Sequence, residues 1–147
     1  MRQRILGVLA TAAAFAGVTG AAATPAAAAG DWITSAQVHT ITNPQTAVSK
    51  STPSGILQIR FGTYEGRQYG WGRVLETPGG SMVRFEYDTD GNRVPNGSFT
   101  SNNPPGTKWS AGYRTSSSSA YAFRACIIFK KGIPCSQVDS SRKTGWW

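Results

Sequence analysis

The sequence predicts an all-β protein: a small antiparallel β-sandwich, immunoglobulin-like or similar, or a small barrel, with one disulfide bond. No segment keeps apolar residues at the spacing of an amphipathic helix, whereas several short segments alternate apolar and polar residues. Gly, Pro, Ser, Thr and Asn interrupt these segments at short intervals. Short strands separated in this way are typical of sandwiches and small barrels.

The first 29 residues have the features of a secretory signal peptide. Arg2 and Arg4 give a short positive start, residues 5–18 are apolar or small, and residues 27–29 are alanines that suit signal peptidase. The apolar run is shorter than the roughly 20 strongly apolar residues of a membrane span. We therefore expect residues 1–29 to be removed and the protein to be secreted into the extracellular medium, with no transmembrane segment.

The remaining residues suffice for one domain. Residues 30–54 are predicted to be an N-terminal edge segment, with a possible first strand at 32–33 and 38–41 and a loop over 43–54. Residues 55–147 are predicted to be the β-domain, in which the dipeptide Asn96-Gly97 is typical of a two-residue hairpin. Its alternating segments are residues 57–61, 69–76, 83–87, 109–114 and 121–129.

Cys126 and Cys135 are the only cysteines in the chain. In an oxidising compartment such a pair is expected to bond, and the bond would join the last long strand to the segment that returns beside it. Because the closed loop is short, chain entropy assigns the bond about 2–3 kcal/mol of stability.

The chain is basic, and its net charge of +8 falls to +6 without Arg2 and Arg4. A charge of this size attracts polyanions, which outside a cell are wall phosphates, acidic polysaccharides, lipid head groups or released nucleic acid. No motif indicates nucleic acid specifically. The alternative interpretation is a surface kept away from neutrality for solubility.

Side chains for hydrolytic chemistry are scarce. His39 is the only histidine and has no acid beside it in sequence, and no serine lies in a Gly-x-Ser-x-Gly turn. Glu76 and Glu86 are the carboxylates a glycosidase would need, but pairing with Arg84 explains Glu86 more simply. We predict no catalytic residue and no enzymatic activity; a small hydrolase is the least favoured alternative.

Residues 88–92 (Asp-Thr-Asp-Gly-Asn) are similar to the start of a calcium loop. Arg93 stands where that loop needs glycine and Phe99 where it needs glutamate, so a polar turn is predicted instead. Zinc is excluded because one histidine and two paired cysteines cannot complete a site. Neither a metal nor another cofactor is predicted.

The aromatic residues, with five tryptophans, are numerous for a small domain. Trp71 and Trp109 are predicted to lie in the core, whereas Trp146 and Trp147 would either dock as a last strand or form an exposed end. Tyr69 alternates with Gly70 and Gly72, which would leave a flat, open patch.

The leading hypothesis is a secreted, non-enzymatic binding module for an anionic or carbohydrate extracellular surface such as a cell wall or polymer. Positive charge next to aromatic rings suits acidic groups on sugars. The predicted ligand-binding residues are Arg60, Tyr69, Arg73 and Arg84. The three arginines are expected to share one sheet face, with Tyr69 nearby.

A second hypothesis is a protein-directed effector, such as a protease inhibitor or an antagonistic toxin. Its candidate contact is an exposed loop that a proline pair would stiffen. The residues of this partner loop are Asn103, Pro104, Pro105 and Lys108.

Several short motifs resemble those of small secreted β-proteins common in actinomycetes. These are Tyr-Gly-Trp-Gly-Arg at residues 69–73, Arg-Phe-Glu at 84–86, Ala-Phe-Arg-Ala-Cys at 122–126 and the terminal Trp146-Trp147. The resemblance spans residues 56–147. It implies secretion, a single disulfide and a β fold, and it carries no functional residues.

Overall fold

The computed structural model describes residues 30–102 and 104–147, which form two antiparallel β-sheets packed face to face. The all-β prediction is confirmed as a sandwich and not a barrel. The predicted signal peptide lies outside the described residues, as does Asn103. None of the described helices is long and apolar enough to cross a membrane.

Eight strands and one short helix make up the described part of the chain. The strands are β1 (Trp32–Ile33), β2 (Gln45–Thr52), β3 (Gly55–Tyr64), β4 (Arg67–Thr77), β5 (Met82–Asp88), β6 (Gly97–Thr100), β7 (Gly106–Arg114) and β8 (Ala122–Ile128). Helix α1 spans Ser35–His39, and two 3₁₀ turns follow β8 at Cys135–Gln137 and Ser140–Arg142.

The larger sheet has the order β1-β7-β4-β3-β2 and the smaller has the order β6-β5-β8. Their facing sides bury the main core, as the alternation of apolar residues in β3, β5 and β8 predicts. The buried core residues are Leu57, Ile59, Val74, Val83, Phe85, Phe123, Ala125 and Ile127.

Gly70 and Gly72 face this core, so the prediction that they leave an open patch is wrong. A Cβ atom on Gly72 would lie 3.0 Å from Cγ2 of Val83, and one on Gly70 would lie 3.2 Å from the ring of Phe123. The two glycines therefore let the smaller sheet pack closely against β4.

A second apolar cluster covers part of the outer face of the larger sheet. Ile33, Val38 and Ile41, from the N-terminal segment, pack against Tyr69 and Trp71 of β4. The sandwich thus has a partial third layer, and this layer decides which outward-facing residues of β4 can reach a ligand.

The N-terminal segment differs from its prediction in two places. Residues 32–33 do form an edge strand, but residues 38–39 end α1, and most of the predicted loop over 43–54 is strand β2. Helix α1 begins with a capping box, in which the Thr34 hydroxyl accepts the Gln37 N–H (3.2 Å) and Gln37 Oε1 accepts the Thr34 N–H (2.8 Å).

Asn96-Gly97 is not a two-residue hairpin turn. Gly97 already pairs with Tyr87, so β5 and β6 are joined by the longer loop over residues 89–96. Asp88 organises this loop, because its carboxylate accepts the backbone N–H groups of Asp90, Gly91 and Arg93. These bonds favour the predicted polar turn and not a calcium loop.

The predicted disulfide joins Cys126 of β8 to Cys135, with Cα atoms 5.6 Å apart. Cys135 begins a 3₁₀ turn and not a returning strand, which differs from the predicted hairpin. Both half-cystines are fully buried.

Replacing both cysteines by alanine is expected to lower the free energy of unfolding by about 2–3 kcal/mol, because the unfolded chain loses its cross-link. Urea unfolding followed by tryptophan fluorescence measures this loss. A loss smaller than about 1 kcal/mol would contradict the expectation.

Candidate functional site

The structure brings together two of the four predicted ligand-binding residues. Arg60 of β3 and Arg73 of β4 both project from the outer face of the larger sheet, where Arg60 is paired in register with Trp71 and Arg73 with Gln58 and Trp109. Tyr69 and Arg84 do not join them.

Arg84 lies on the other sheet, so the prediction that it shares a face with Arg60 and Arg73 is wrong. Its Nε donates to Glu86 Oε1 (2.8 Å), and Arg124 donates to Glu86 Oε2 (2.6 Å). The expected Arg84–Glu86 ion pair is therefore present, and it occupies the guanidinium that the prediction assigned to a ligand.

Tyr69 is fully buried, which also contradicts the prediction. Its ring packs beneath Ile33 and Val38, and its hydroxyl donates to the Gly30 carbonyl (2.7 Å). Burial raises the pKa of the Tyr69 hydroxyl. This residue supports the N-terminal layer and has no surface for a ligand.

Arg60 is held by neutral acceptors. Its Nη1 donates to Thr46 Oγ1 (2.8 Å) and its Nη2 donates to the Pro44 carbonyl (2.7 Å). Its Nε is buried and has no hydrogen-bond partner among the described residues. The guanidinium is thus fixed in place, and its unpartnered Nε is enclosed by the protein.

Arg73 is also held by a neutral acceptor. Its Nε (2.9 Å) and Nη2 (2.7 Å) both donate to Oε1 of Gln58, whose amide donates in turn to Ser49 Oγ (3.3 Å). Burial lowers the pKa of both Arg60 and Arg73, and the positive charge of Arg60 lowers that of Arg73 further. Each guanidinium remains charged near neutral pH and is incompletely neutralised.

No carboxylate of the described residues neutralises the arginine pair. Among the described residues, neither Arg60 nor Arg73 lies within salt-bridge distance of a carboxylate. The ion pairs engage Glu86, Asp88 and Asp31, whereas Glu65 and Glu76 are exposed. The arginine pair is therefore a preorganised positive site without a carboxylate partner among the described residues.

Two open clefts adjoin α1 and β7; Arg73 lines the smaller of them, and Arg60 lines neither. The rings of His39 of α1 and Trp109 of β7 have centroids 3.6 Å apart and planes inclined by 41°, and both residues line both clefts. We call this tilted ring contact the His39–Trp109 stack. The smaller cleft has a volume of about 230 Å³ and includes Trp71 and Arg73 in its wall. The larger has a volume of about 380 Å³ and reaches β6 and Pro104.

Trp109 is only partly buried, in contrast to the core position predicted for it. Trp71, by comparison, is buried as predicted. Trp109 packs against the outer cluster through one part of its ring and borders both clefts with the rest. It is the aromatic residue best placed to contact a ligand beside Arg73.

The predicted partner loop keeps its prolines at the surface but not its lysine. Pro104 and Pro105 are exposed, whereas Lys108 is 4% exposed, so its assignment as an exposed contact is wrong. The Lys108 ammonium donates to Ser81 Oγ (2.8 Å), to the Pro78 carbonyl (3.2 Å) and to Thr77 Oγ1. Burial lowers its pKa, and these bonds satisfy its three donors.

Comparison of the chain with known protein families, with curated proteins and with solved structures returned no match. The site is therefore defined by its own geometry: a guanidinium pair held by neutral acceptors, next to an aromatic stack between two clefts.

Sequence reasoning missed Gln58 and the stack of His39 on Trp109. Gln58 precedes Arg60 by two residues, so strand alternation already placed both side chains on one face. The stack depends on α1 folding back over β7, and no local pattern encodes that contact.

Proposed function

We propose that this protein is a secreted, non-enzymatic binding module for an anionic or carbohydrate extracellular surface, such as a cell wall or polymer. The observation that carries the proposal is the Arg60–Arg73 pair, in which two adjacent guanidiniums have only neutral hydrogen-bond acceptors. An incoming carboxylate, sulfate or phosphate relieves their mutual repulsion and takes up unused N–H donors.

Secretion is supported by two features. Residues 1–29 have the composition of a signal peptide, and the disulfide between Cys126 and Cys135 suits an oxidising compartment. An extracellular location in turn limits the available anions to wall polymers, acidic polysaccharides and other released polyanions.

The test is binding to an immobilised polyuronate, measured with the wild type and with the double variant Arg60→Gln, Arg73→Gln. We expect the double variant to bind about tenfold more weakly or worse, because it loses the charge-assisted hydrogen bonds. Wild-type binding should also weaken as salt is raised, since exposed charge pairs are screened.

The matched control is the double variant Lys130→Gln, Lys131→Gln. It removes the same amount of charge from an exposed turn outside the site. Equal losses in the two variants would mean that net charge alone drives binding, and that would contradict the assignment of the site. Wild-type binding that does not change with salt would remove the electrostatic basis of the proposal.

A further inference from the structure

The two clefts beside the His39–Trp109 stack have different chemistry. The smaller is lined by apolar side chains and the stack, with Arg73 as its charged member; the apolar members are Val38, Ile41, Pro44 and Trp71. Its occupant therefore needs an apolar face and an anionic group close to it.

The larger cleft is lined mainly by neutral polar groups, Phe99 and the stack. Lys108 also lines it, but its ammonium donates to Thr77, Pro78 and Ser81. Four of these polar side chains make no hydrogen bond to another described residue: Ser35, Thr100, Asn102 and Thr107. Hydroxyl and amide groups next to aromatic rings offer a ligand hydroxyl both hydrogen-bond partners and a flat apolar surface.

A pyranose ring has the properties that both clefts require, because it combines apolar C–H faces with hydroxyl groups. A carboxylate or sulfate on such a ring adds the negative charge that Arg73 attracts. Since the two rings of the stack form a shared wall, a ligand in one cleft touches the boundary of the other. Reaching both clefts would take a chain of linked rings.

We propose that the site binds a single acidic oligosaccharide across the His39–Trp109 stack. Its charged unit lies on the Arg73 side and its neutral unit lies in the larger cleft, against Thr100 and Thr107. This inference rests on the proposed function and narrows it, since it requires ring units as well as charge and assigns the chain a direction.

The experiment titrates the wild type with four probes while tryptophan fluorescence is monitored. The probes are glucuronic acid, an alternating disaccharide and tetrasaccharide of uronic acid and neutral amino sugar, and polyphosphate. We expect the tetrasaccharide to bind at least about tenfold more tightly than glucuronic acid, because only the oligosaccharide fills both clefts.

The double variant Thr100→Val, Thr107→Val tests the larger cleft without changing charge. It should weaken binding of the tetrasaccharide several-fold and leave glucuronic acid unaffected. Thr63→Val, an exposed substitution on β3 away from both clefts, serves as the control and should change neither.

Two outcomes would overturn the inference in distinguishable ways. If polyphosphate bound as tightly as the tetrasaccharide and the threonine substitutions had no effect, the protein would be a general anion-binding module. That result would contradict an oligosaccharide as the specific ligand. Failure of the wild type to bind any of the probes, together with failure to bind immobilised polyuronate, would defeat the proposed function itself.

Discussion

Replacing Glu86 by glutamine is expected to lower the free energy of unfolding by about 3–5 kcal/mol, because it leaves two largely buried arginines without their counter-charge. Glu86 is fully buried and accepts hydrogen bonds from Arg84 Nε (2.8 Å), Arg124 Nη2 (2.6 Å) and the Cys135 backbone N–H (2.9 Å). The glutamine amide keeps the shape but presents N–H groups to arginine donors.

Urea unfolding of the variant measures this loss, with Glu76→Gln as the control. Glu76 is exposed and takes part in no salt bridge among the described residues, so its substitution should change stability by less than about 0.5 kcal/mol. If the Glu86→Gln variant were as stable as the wild type, the cluster of Glu86, Arg84 and Arg124 would make no net contribution to the free energy of unfolding.

The same carboxylate gives stability a pH dependence. Burial by itself would raise the pKa of Glu86, but hydrogen bonds from Arg84, the Cys135 amide and Arg124 outweigh it and hold the pKa below its ordinary value of 4.5. Its stabilising contribution is therefore complete above that value and is lost as the pH falls through the lower folded-state pKa. The glutamine variant should lose less stability on acidification than the wild type.

Deleting Trp146 and Trp147 is expected to cost about 2–4 kcal/mol, because these residues complete one edge of the smaller sheet. The Trp147 N–H and carbonyl both bond to Phe123 (2.8 Å each), and its ring stacks on Phe61 at 5.4 Å. The Arg124 guanidinium lies 4.4 Å from the Trp146 ring centroid. The two tryptophans therefore dock against the sandwich and do not form a free end, although Trp147 remains 38% exposed.

Thermal and urea unfolding of the deletion variant test this expectation. Trp32→Ala is the matched control, because Trp32 is 55% exposed and its loss should cost less than about 1 kcal/mol. The deletion should also promote aggregation, since it uncovers the edge of β8. An unfolding midpoint equal to that of the wild type would contradict the structural role of the tail.

Alternation along the chain predicted the strands of the sandwich but not all of its edges. Leu57, Ile59 and Phe85 occupy the core because apolar residues at every second position must face it. Strand β2 was not predicted, because apolar and polar residues alternate only weakly in an edge strand that is rich in Ser and Thr. The capping box of Thr34 and Gln37 was a readable signal for α1, even though that helix is only five residues long.

Only part of the candidate site could be predicted from the sequence, and the reason is related. Arg60 and Arg73 do share a sheet face, as expected, but alternation cannot tell which of two sheets carries a residue, so it misplaced Arg84. Nor can it tell that a third layer covers Tyr69 while leaving Arg73 accessible. Both facts depend on contacts between segments that are distant in the chain.

The central claim is that Arg60, Arg73 and Trp109 contact an acidic ligand, and NMR of isotope-labelled protein tests it most directly. On titration with an acidic oligosaccharide, we expect the largest shifts at the side-chain N–H groups of these three residues. Shifts concentrated instead at Lys130 and Lys131, or at Arg84 on the opposite sheet, would contradict the account.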